Sequence, residues 1–338
     1  MSDVDRLAEI VWFFRKPYDF HFSIEKIFNG LYPSISKQYT IKKELAKTYS
    51  GGILPRLRSI LAVKHQKGKV NHVTGDVHYL VFGLPGKSTI LTIHDLGMMN
   101  HPNYILRFFL WIFWVWLPVR IARYITTISE ETRQDIIKYT RCPESKITVI
   151  PNYVDPNFKP VNKTFNNRCP IILHIGTAPN KNLIRTIEAI KRIECEFWVV
   201  GKLDNRERSM LSGLSYKAYH GISDEQLKVL YEKCDLLSFC STLEGFGLPI
   251  LEAQAIGRPV VTSDLSSMPE VGGEGACYVD PYNTESIRDG IQKVITDKKY
   301  RENLVLEGFK NVEKYQIEAV AESYINLYKR ALKENGKS

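Results

Sequence analysis

The strongest constraint on this 338-residue chain is a rhythm of short apolar runs separated by segments of helical period. Residues 10–14, 70–73, 89–93, 124–128 and 147–150 form one series, and 171–175, 197–200, 217–220, 236–240 and 260–262 form a second. A strand covered on both faces reads as such a run, because neither face meets water. Strands alternating with helices predict parallel sheets sandwiched between helices. Between the series, residues 156–168 are polar and carry Pro156, Pro160, Asn166 and Asn167, which predicts a linker. The expected domains are therefore 1–160 and 161–338, each long enough for its own core. After Asp280 the chain reads as helical to its end, and the last helix is expected to pack back on the first domain. No internal repeat of 20–50 residues is visible.

One stretch concentrates the chemistry. Residues 235–240 read as a buried strand, 241–247 as a glycine-bearing turn, and 248–256 as a helix stopped by Gly257-Arg258-Pro259. A strand–turn–helix of this kind aims backbone N–H groups at the helix N-terminus, where an anion can sit. Gly245 and Gly247 remove the Cβ atoms that would hold a ligand off the backbone. Glu244 precedes the helix and Glu252 lies inside it, seven residues between them. They cannot form a close carboxylate pair on one helix face. They can accept from hydroxyls on either side of a phosphate, which describes a sugar joined through phosphate to a nucleoside. His174-Ile175-Gly176-Thr177-Ala178-Pro179-Asn180-Lys181-Asn182 repeats the pattern in the same domain, with Lys181 at the turn to neutralise a diphosphate. His174, inside an apolar run, is expected in the core.

The first domain offers fewer signals. His94 stands at a strand end, facing the expected crevice. Arg15, Lys16 and Glu25 follow the first strand and are candidates for acceptor contact. Ser23 is the expected cap of the helix after that strand. Residues 55–67 predict an amphipathic helix with Leu57, Ile60 and Leu61 on its packed face. Residues 108–119 are twelve in a row without a charge, bounded by Arg107 and Arg120. They fall short of the ~20 needed to span a bilayer and predict a buried helix that is in part interfacial. Ser129 and Ser223 are expected helix caps, the latter in the capping box Ser223-Asp224-Glu225-Gln226.

Charge divides unevenly. Residues 1–160 hold 22 Lys and Arg against 13 Asp and Glu, and residues 161–338 hold 24 of each, so the first half carries the whole excess of +9. Between Lys37 and Lys69 there are nine basic residues and one acid, Glu44. That asymmetry suggests an anionic partner for the first domain, against the plainer reading of a soluble basic face. The charge is not interleaved with an aromatic platform, which speaks against nucleic acid. Six scattered cysteines without Cys-x-x-Cys predict reduced thiols, a cytoplasmic setting and no structural zinc. Met1-Ser2-Asp3-Val4-Asp5 is acidic and does not read as a secretory signal.

Glu244 to Glu252 resembles the Glu-x7-Glu motif of the retaining glycosyltransferases of family 4. Thr92-Ile93-His94-Asp95-Leu96, Ile128-Ser129-Glu130, the stretch from Val149 to Asp155, Gly176 to Asn182 and Gly257-Arg258-Pro259-Val260-Val261 occur in the order that family shows, over roughly residues 89 to 281. The resemblance implies an α/β protein of GT-B fold, two facing Rossmann-like parallel-sheet domains with a C-terminal helical segment. It implies that Glu244 contacts the donor sugar, Glu252 the ribose, the backbone at Phe246, Gly247 and Leu248 the phosphates, and Lys181 the diphosphate. His94 matches the histidine beside the scissile bond, and His220-Gly221-Ile222 falls where the base is contacted. Two departures stand out. Thr177 follows Gly176 where many members have Arg, which shifts phosphate charge onto Lys181 and Asn180. The glycine-rich loop after the first strand is replaced by Arg15-Lys16-Pro17.

The implied activity is metal-independent transfer, with retention, from a nucleotide sugar, UDP-linked as first guess, to a glycan or lipid-linked acceptor in cell-surface polysaccharide or lipopolysaccharide synthesis. No cofactor is implied. The expected partners are the nucleotide sugar, the acceptor and, peripherally, an anionic membrane at the inner face of the cell. Two other readings use the same residues: a sugar-nucleotide epimerase or hydrolase of this architecture, and a basic nucleic-acid-binding protein. An acceptor that gains no sugar would favour the first, and a gel shift at physiological salt the second.

Overall fold

The computed structural model describes residues 9–16 and 23–335, with Ser23 described by its backbone alone. The chain divides into two compact units, Met1–Tyr153 with Ile317–Ser338, and Val154–Gln316. Pro17, the acidic start and the capping role of Ser23 lie outside what is described.

The first unit contains β1 (Ile10–Phe14), β2 (Ile41–Leu45), β3 (Val70–Val73), β4 (Thr89–Ile93), β5 (Tyr124–Thr127) and β6 (Ile147–Val149). Its helices are α1 (Ser23–Ile35), α2 (Ile53–Val63), α3 (Tyr104–Leu110), α4 (Leu117–Ile121) and α5 (Glu130–Thr140). The strands pair in parallel in the order β2-β1-β3-β4-β5-β6. The second unit contains β7 (Ile171–Ile175), β8 (Glu196–Val200), β9 (Tyr216–Tyr219), β10 (Leu236–Phe239), β11 (Val260–Ser263) and β12 (Ala276–Val279), again all parallel, in the order β12-β11-β10-β7-β8-β9. Around it lie α6 (Leu183–Ile190), α7 (Asn205–Met210), α8 (Asp224–Lys233), α9 (Leu248–Ile256), α10 (Met268–Gly272), α11 (Thr284–Thr296) and α12 (Lys298–Val312). The last helix, α13 (Ile317–Asn335), packs on α1 in the first unit.

Two strands escape a search for apolar runs, and both are edge strands. β2, Ile-Lys-Lys-Glu-Leu, leaves Lys42, Lys43 and Leu45 exposed, so it needs only its β1-facing backbone bonds. β12 is a four-residue strand, Ala-Cys-Tyr-Val, mostly buried, next to β11 at an edge of the second sheet. Charged edge strands also resist pairing with other chains.

The expected linker is not loose. Asp235, 2% exposed, accepts from Ile171 N at 2.8 Å and Asn166 N at 3.0 Å and pairs with Lys163. The buried Arg258 guanidinium donates to the carbonyls of Val161, Tyr231 and Glu232 at 3.1, 3.0 and 2.7 Å. These bonds tie residues 161–166 into the second unit, and the boundary falls at 153/154 rather than 160/161.

In the first unit a buried hydrogen-bond chain joins α13 to four strands. Trp12 Nε1 donates to Tyr328 Oη at 2.9 Å, which lies 2.7 Å from His72 Nδ1; His72 Nε2 is 2.7 Å from Thr92 Oγ1, and that is 2.6 Å from Thr126 Oγ1. Burial holds His72 neutral by lowering its pKa to about 3. Trp12 only donates, and Tyr328, the neutral His72 and Thr92 can each accept once and donate once along the chain, so it is satisfied without a buried charge.

Two helices depart from expectation. On α2 the buried residues are Ser59 and Val63, while Leu57 and Leu61 are exposed, so the packed face is rotated from the one expected. Ser59 Oγ explains the rotation: it lies 2.9 Å from Thr48 Oγ1 and accepts from Thr48 N at 3.3 Å. The stretch 108–119 is a helix buried only in part. With α3, a π-helical turn at Trp111–Trp116 and α4 it forms one continuous helix, of which Val115, Pro118 and Val119 are buried and Phe108, Phe109 and Phe113 exposed. The domain holds it mainly from Trp111 onward, through bonds such as His78 Nδ1 to Trp114 O at 2.7 Å and Trp111 Nε1 to Tyr139 O at 2.8 Å.

Candidate active site

In open parallel sheets the ligand crevice lies outside the carboxyl ends of the strands, where the strand order reverses. In the second unit that point lies between β7 and β10. The turn after β7 holds Gly176 to Asn182, and the turn after β10 holds Ser241 to Gly247. The sequence places a lysine in one turn and a carboxylate in the other, and the fold brings them together: Lys181 Nζ lies 2.7 Å from Glu244 Oε1, with 22% and 11% of the two side chains accessible.

The turns are laced to each other. Thr242 N donates to Asn180 O at 2.8 Å and Asn180 Nδ2 to Leu243 O at 2.9 Å. Buried Asn182 donates to Cys240 O at 3.0 Å and Pro281 O at 2.7 Å. The loop after β11 supports the same residues. Ser266 Oγ donates to Glu244 O at 2.7 Å, and Ser267 Oγ lies between Glu244 O and Phe246 O at 3.0 and 2.8 Å. Gly176 has φ +96°, and a Cβ there would stand 2.6 Å from Lys181 Cγ, so only glycine lets the lysine stem cross it. Thr177 packs against Gly201 at the end of β8.

Gly247, at φ +107°, opens α9, and no side chain caps this helix. Its N-terminus therefore has partial positive charge beside the Lys181–Glu244 pair, with no side-chain cap among the described residues. Four residues into α9, Glu252 Oε2 accepts from Tyr231 Oη at 2.7 Å. Burial first, and then the Glu252 charge, push the Tyr231 phenol far above its usual range, so it stays a donor. Phe246 is buried against Tyr315, and Leu248 is half-buried. Gly221, at φ +67°, and Ile222 follow β9 at the edge of the sheet, and Ile222 lines a separate cavity of about 740 Å³ beside α8 with Trp198 and Tyr219. His174 is a core residue whose pKa burial lowers to about 4.

The first sheet reverses between β1 and β3. Arg15, just past β1, donates to Glu25 at 2.9 Å and pairs with Asp76, just past β3. Burial alone would lower the Arg15 pKa; the Glu25 and Asp76 contacts outweigh it and raise it. Lys16 sits over the Tyr49 ring at 4.6 Å. His94, past β4, donates through Nε2 to Thr74 O at 2.8 Å, which leaves Nδ1 as its acceptor. Burial lowers the His94 pKa, against the opposing Thr74 bond and the Asp76 and Asp95 charges, so the ring is neutral at pH 7. Among the described residues no cluster of three or more His, Cys, Asp or Glu could hold a metal ion.

Asp76, Tyr231, Ser266 and Ser267 were not singled out in the sequence. The only local hint was the position of Asp76 after a strand and a glycine.

A model described as "Glycosyl transferases group 1" matches residues 157–311, and one described as "Glycosyltransferase Family 4" matches residues 47–158. This chain belongs to glycosyltransferase family 4. The family 4 chain is 26% identical over 241 residues to an uncharacterised glycosyltransferase of Methanocaldococcus jannaschii, covering 63% of this chain and 61% of that protein. It is 26% identical over 305 residues to the O-antigen chain mannosyltransferase B of Escherichia coli, covering 80% and 77%. Alignment thus spans about three fifths of the archaeal relative's length. Among solved structures, Anabaena HepE in complex with UDP and glucose superposes with TM-score 0.77 at 15% identity, over 96% of this chain and all of that one. The fold of this family 4 chain is GT-B.

Proposed function

We propose that this protein is a retaining, metal-independent glycosyltransferase. It moves a hexosyl group from a nucleotide sugar to a glycan or lipid-linked acceptor of cell-surface polysaccharide or lipopolysaccharide, in the cytoplasm at the inner face of the membrane. The observation that carries this reading is the Lys181–Glu244 ion pair at the switch point, beside the uncapped start of α9. A donor diphosphate takes Lys181 and the N–H groups at Phe246, Gly247 and Leu248, with Gly176, Thr177 and Asn180 lining the turn. Glu244, released from the lysine, accepts from hydroxyls of the sugar. Glu252, oriented by Tyr231, accepts from the ribose, and Gly221 and Ile222 lie toward the base. This reading also assigns His94 to the reacting sugar and Arg15, Lys16 and Glu25 to the acceptor.

In the reaction the acceptor oxygen bonds to the anomeric carbon as the bond to the diphosphate breaks. The electron pair leaves with the diphosphate, which takes up the acceptor proton on the same face. Negative charge grows on the leaving oxygen, where a fixed lysine and a helix N-terminus act with little reorganisation. A UDP-sugar is the first candidate donor, supported by the fold shared with HepE, whose structure holds UDP and glucose. A mannosyl donor is the second reading, favoured by the named activity of the E. coli relative.

A thermal-shift panel of nucleotide sugars, followed by nucleotide release with acceptor in the presence of EDTA, tests the proposal. One donor is expected to stabilise the wild-type protein. Lys181→Ala is expected to lower kcat/KM for it by roughly a hundredfold or more, the scale of losing one donor to a developing anion. No shift with any nucleotide sugar, or full turnover in the Lys181→Ala, Glu244→Ala double variant, overturns it. Product of inverted anomeric configuration by NMR overturns retention alone.

A further inference from the structure

A helix apolar on every side is ordinarily buried in protein or in lipid. The helix from Tyr104 to Ile121 has mean hydropathy 1.5, yet only 17% of it is buried. Residues 104–109 are all exposed, with Phe108 at 54%, Phe109 at 52% and, further on, Phe113 at 45%. The exposed end of α2 lies beside it: Arg56 stacks on the Trp114 ring at 4.2 Å, and Ile53 and Leu54 stand 75% and 70% exposed in the preceding turn. Exposed apolar side chains on neighbouring helices mark a surface that something else covers.

The surrounding charge identifies the cover. No Asp or Glu occurs between Glu44 and Asp76, while Lys47, Arg56, Arg58, Lys64, Lys67 and Lys69 do. None occurs between Asp95 and Glu130, while Arg107, Arg120 and Arg123 do. An apolar groove of about 620 Å³ between α3 and α5 is walled by Tyr104, Phe108 and Trp111, with the exposed cations Arg107 and Lys138 among its lining. Aromatic side chains flanked by Lys and Arg, without acids, match an anionic lipid surface. The geometry excludes a span. Val115, Pro118 and Val119 are fixed in the core and Trp111 is bonded to Tyr139 O, so the stretch from Tyr104 to Leu110 reaches about 10 Å, a third of a ~30 Å hydrocarbon layer.

We infer that α2 and α3 form a shelf that seats the first unit on an anionic phospholipid bilayer, with Phe108, Phe109 and Phe113 in the acyl boundary and Arg58, Lys64 and Lys67 at the headgroups. This deepens the proposed function and rests on it only for its purpose, to keep the enzyme beside a lipid-linked acceptor.

Co-sedimentation of the full chain with vesicles of phosphatidylcholine alone, and of phosphatidylcholine with phosphatidylglycerol, tests it. The wild type is expected to bind the anionic vesicles and to release as salt rises. Phe108→Ser, Phe109→Ser, Phe113→Ser is expected to weaken binding at least tenfold. Arg58→Gln, Lys64→Gln, Lys67→Gln is expected to weaken binding to anionic vesicles by about a hundredfold, near fivefold per cation. These side chains are exposed, so both variants should keep the wild-type melting temperature and lipid-free donor binding. Equal sedimentation of all three proteins overturns the inference. So does a wild type that is dimeric without lipid and becomes monomeric in the phenylalanine variant, because a second copy would then be the cover. Donor binding without vesicles reads the proposed function separately, so either can fail alone.

Discussion

At the scale of single residues, the informative side chain is one with no sequence signature. Tyr231 reaches from α8 to Glu252 on α9, and its hydroxyl fixes one carboxylate oxygen at 2.7 Å. A neutral phenol beside a carboxylate orients it without cancelling its charge. Tyr231→Phe keeps the buried ring and removes only the bond. The expected result is a rise in donor KM of about fivefold, the worth of roughly 1 kcal/mol, with kcat nearly unchanged. Steady-state kinetics with varied donor separates this from a packing defect, which would lower the melting temperature as well. Lys181 and Glu244 differ in kind: each is the other's partner at 2.7 Å, so the charges at the turn are satisfied within the fold.

At the scale of elements, the start of α9 depends on backbone that only glycine adopts comfortably. Gly247 has φ +107° and ψ 46°, and a Cβ there would meet Ile250 Cδ1 at 3.3 Å. Gly247→Ala is expected to cost about 1–2 kcal/mol of stability, read as a melting temperature lower by a few degrees. Donor affinity should fall with it, because the helix N–H groups shift with the turn. The helix from Tyr104 to Ile121 teaches the opposite lesson. Its sequence names its chemistry, yet the fold uses only its last turns for packing. The remainder is available to a surface outside the chain.

At the scale of the whole molecule, each unit buries a neutral histidine on a strand, His72 in β3 and His174 in β7. Burial lowers their pKa values to about 3 and about 4. In the unfolded chain both titrate near ~6.5, so between there and the folded values the unfolded state binds more protons. Stability from this source is complete above about pH 6.5 and is lost as pH falls toward the folded values. At pH 5 each of these two histidines is expected to remove about 2 kcal/mol of stability relative to pH 7.5. Calorimetry at the two pH values should show melting shift downward on acidification; a melting temperature unchanged at pH 5 would contradict the buried neutral state.

Much of the fold was legible because parallel strands covered on both faces must be continuous apolar runs, and glycine turns must follow them. Those are local properties, and they gave ten of the twelve strands, the two switch-point turns and Ser129 and Ser223 as caps. The site was legible to the extent that it lies in those turns. Edge strand β2 was hidden because its charged, exposed residues form no apolar run, whereas β12, Ala-Cys-Tyr-Val, is a short apolar run that was passed over. The Tyr231–Glu252 bond, the meeting of Arg15 with Asp76 and the return of α13 to the first unit join residues 21, 61 and hundreds of positions apart, and no local period encodes such distances. Sequence alone determined which segments are strands and which turns can hold an anion, since backbone sterics and burial act over a few residues. Tertiary structure alone decided which turn faces which, and which apolar helix is left uncovered, since both depend on what the rest of the chain packs against it.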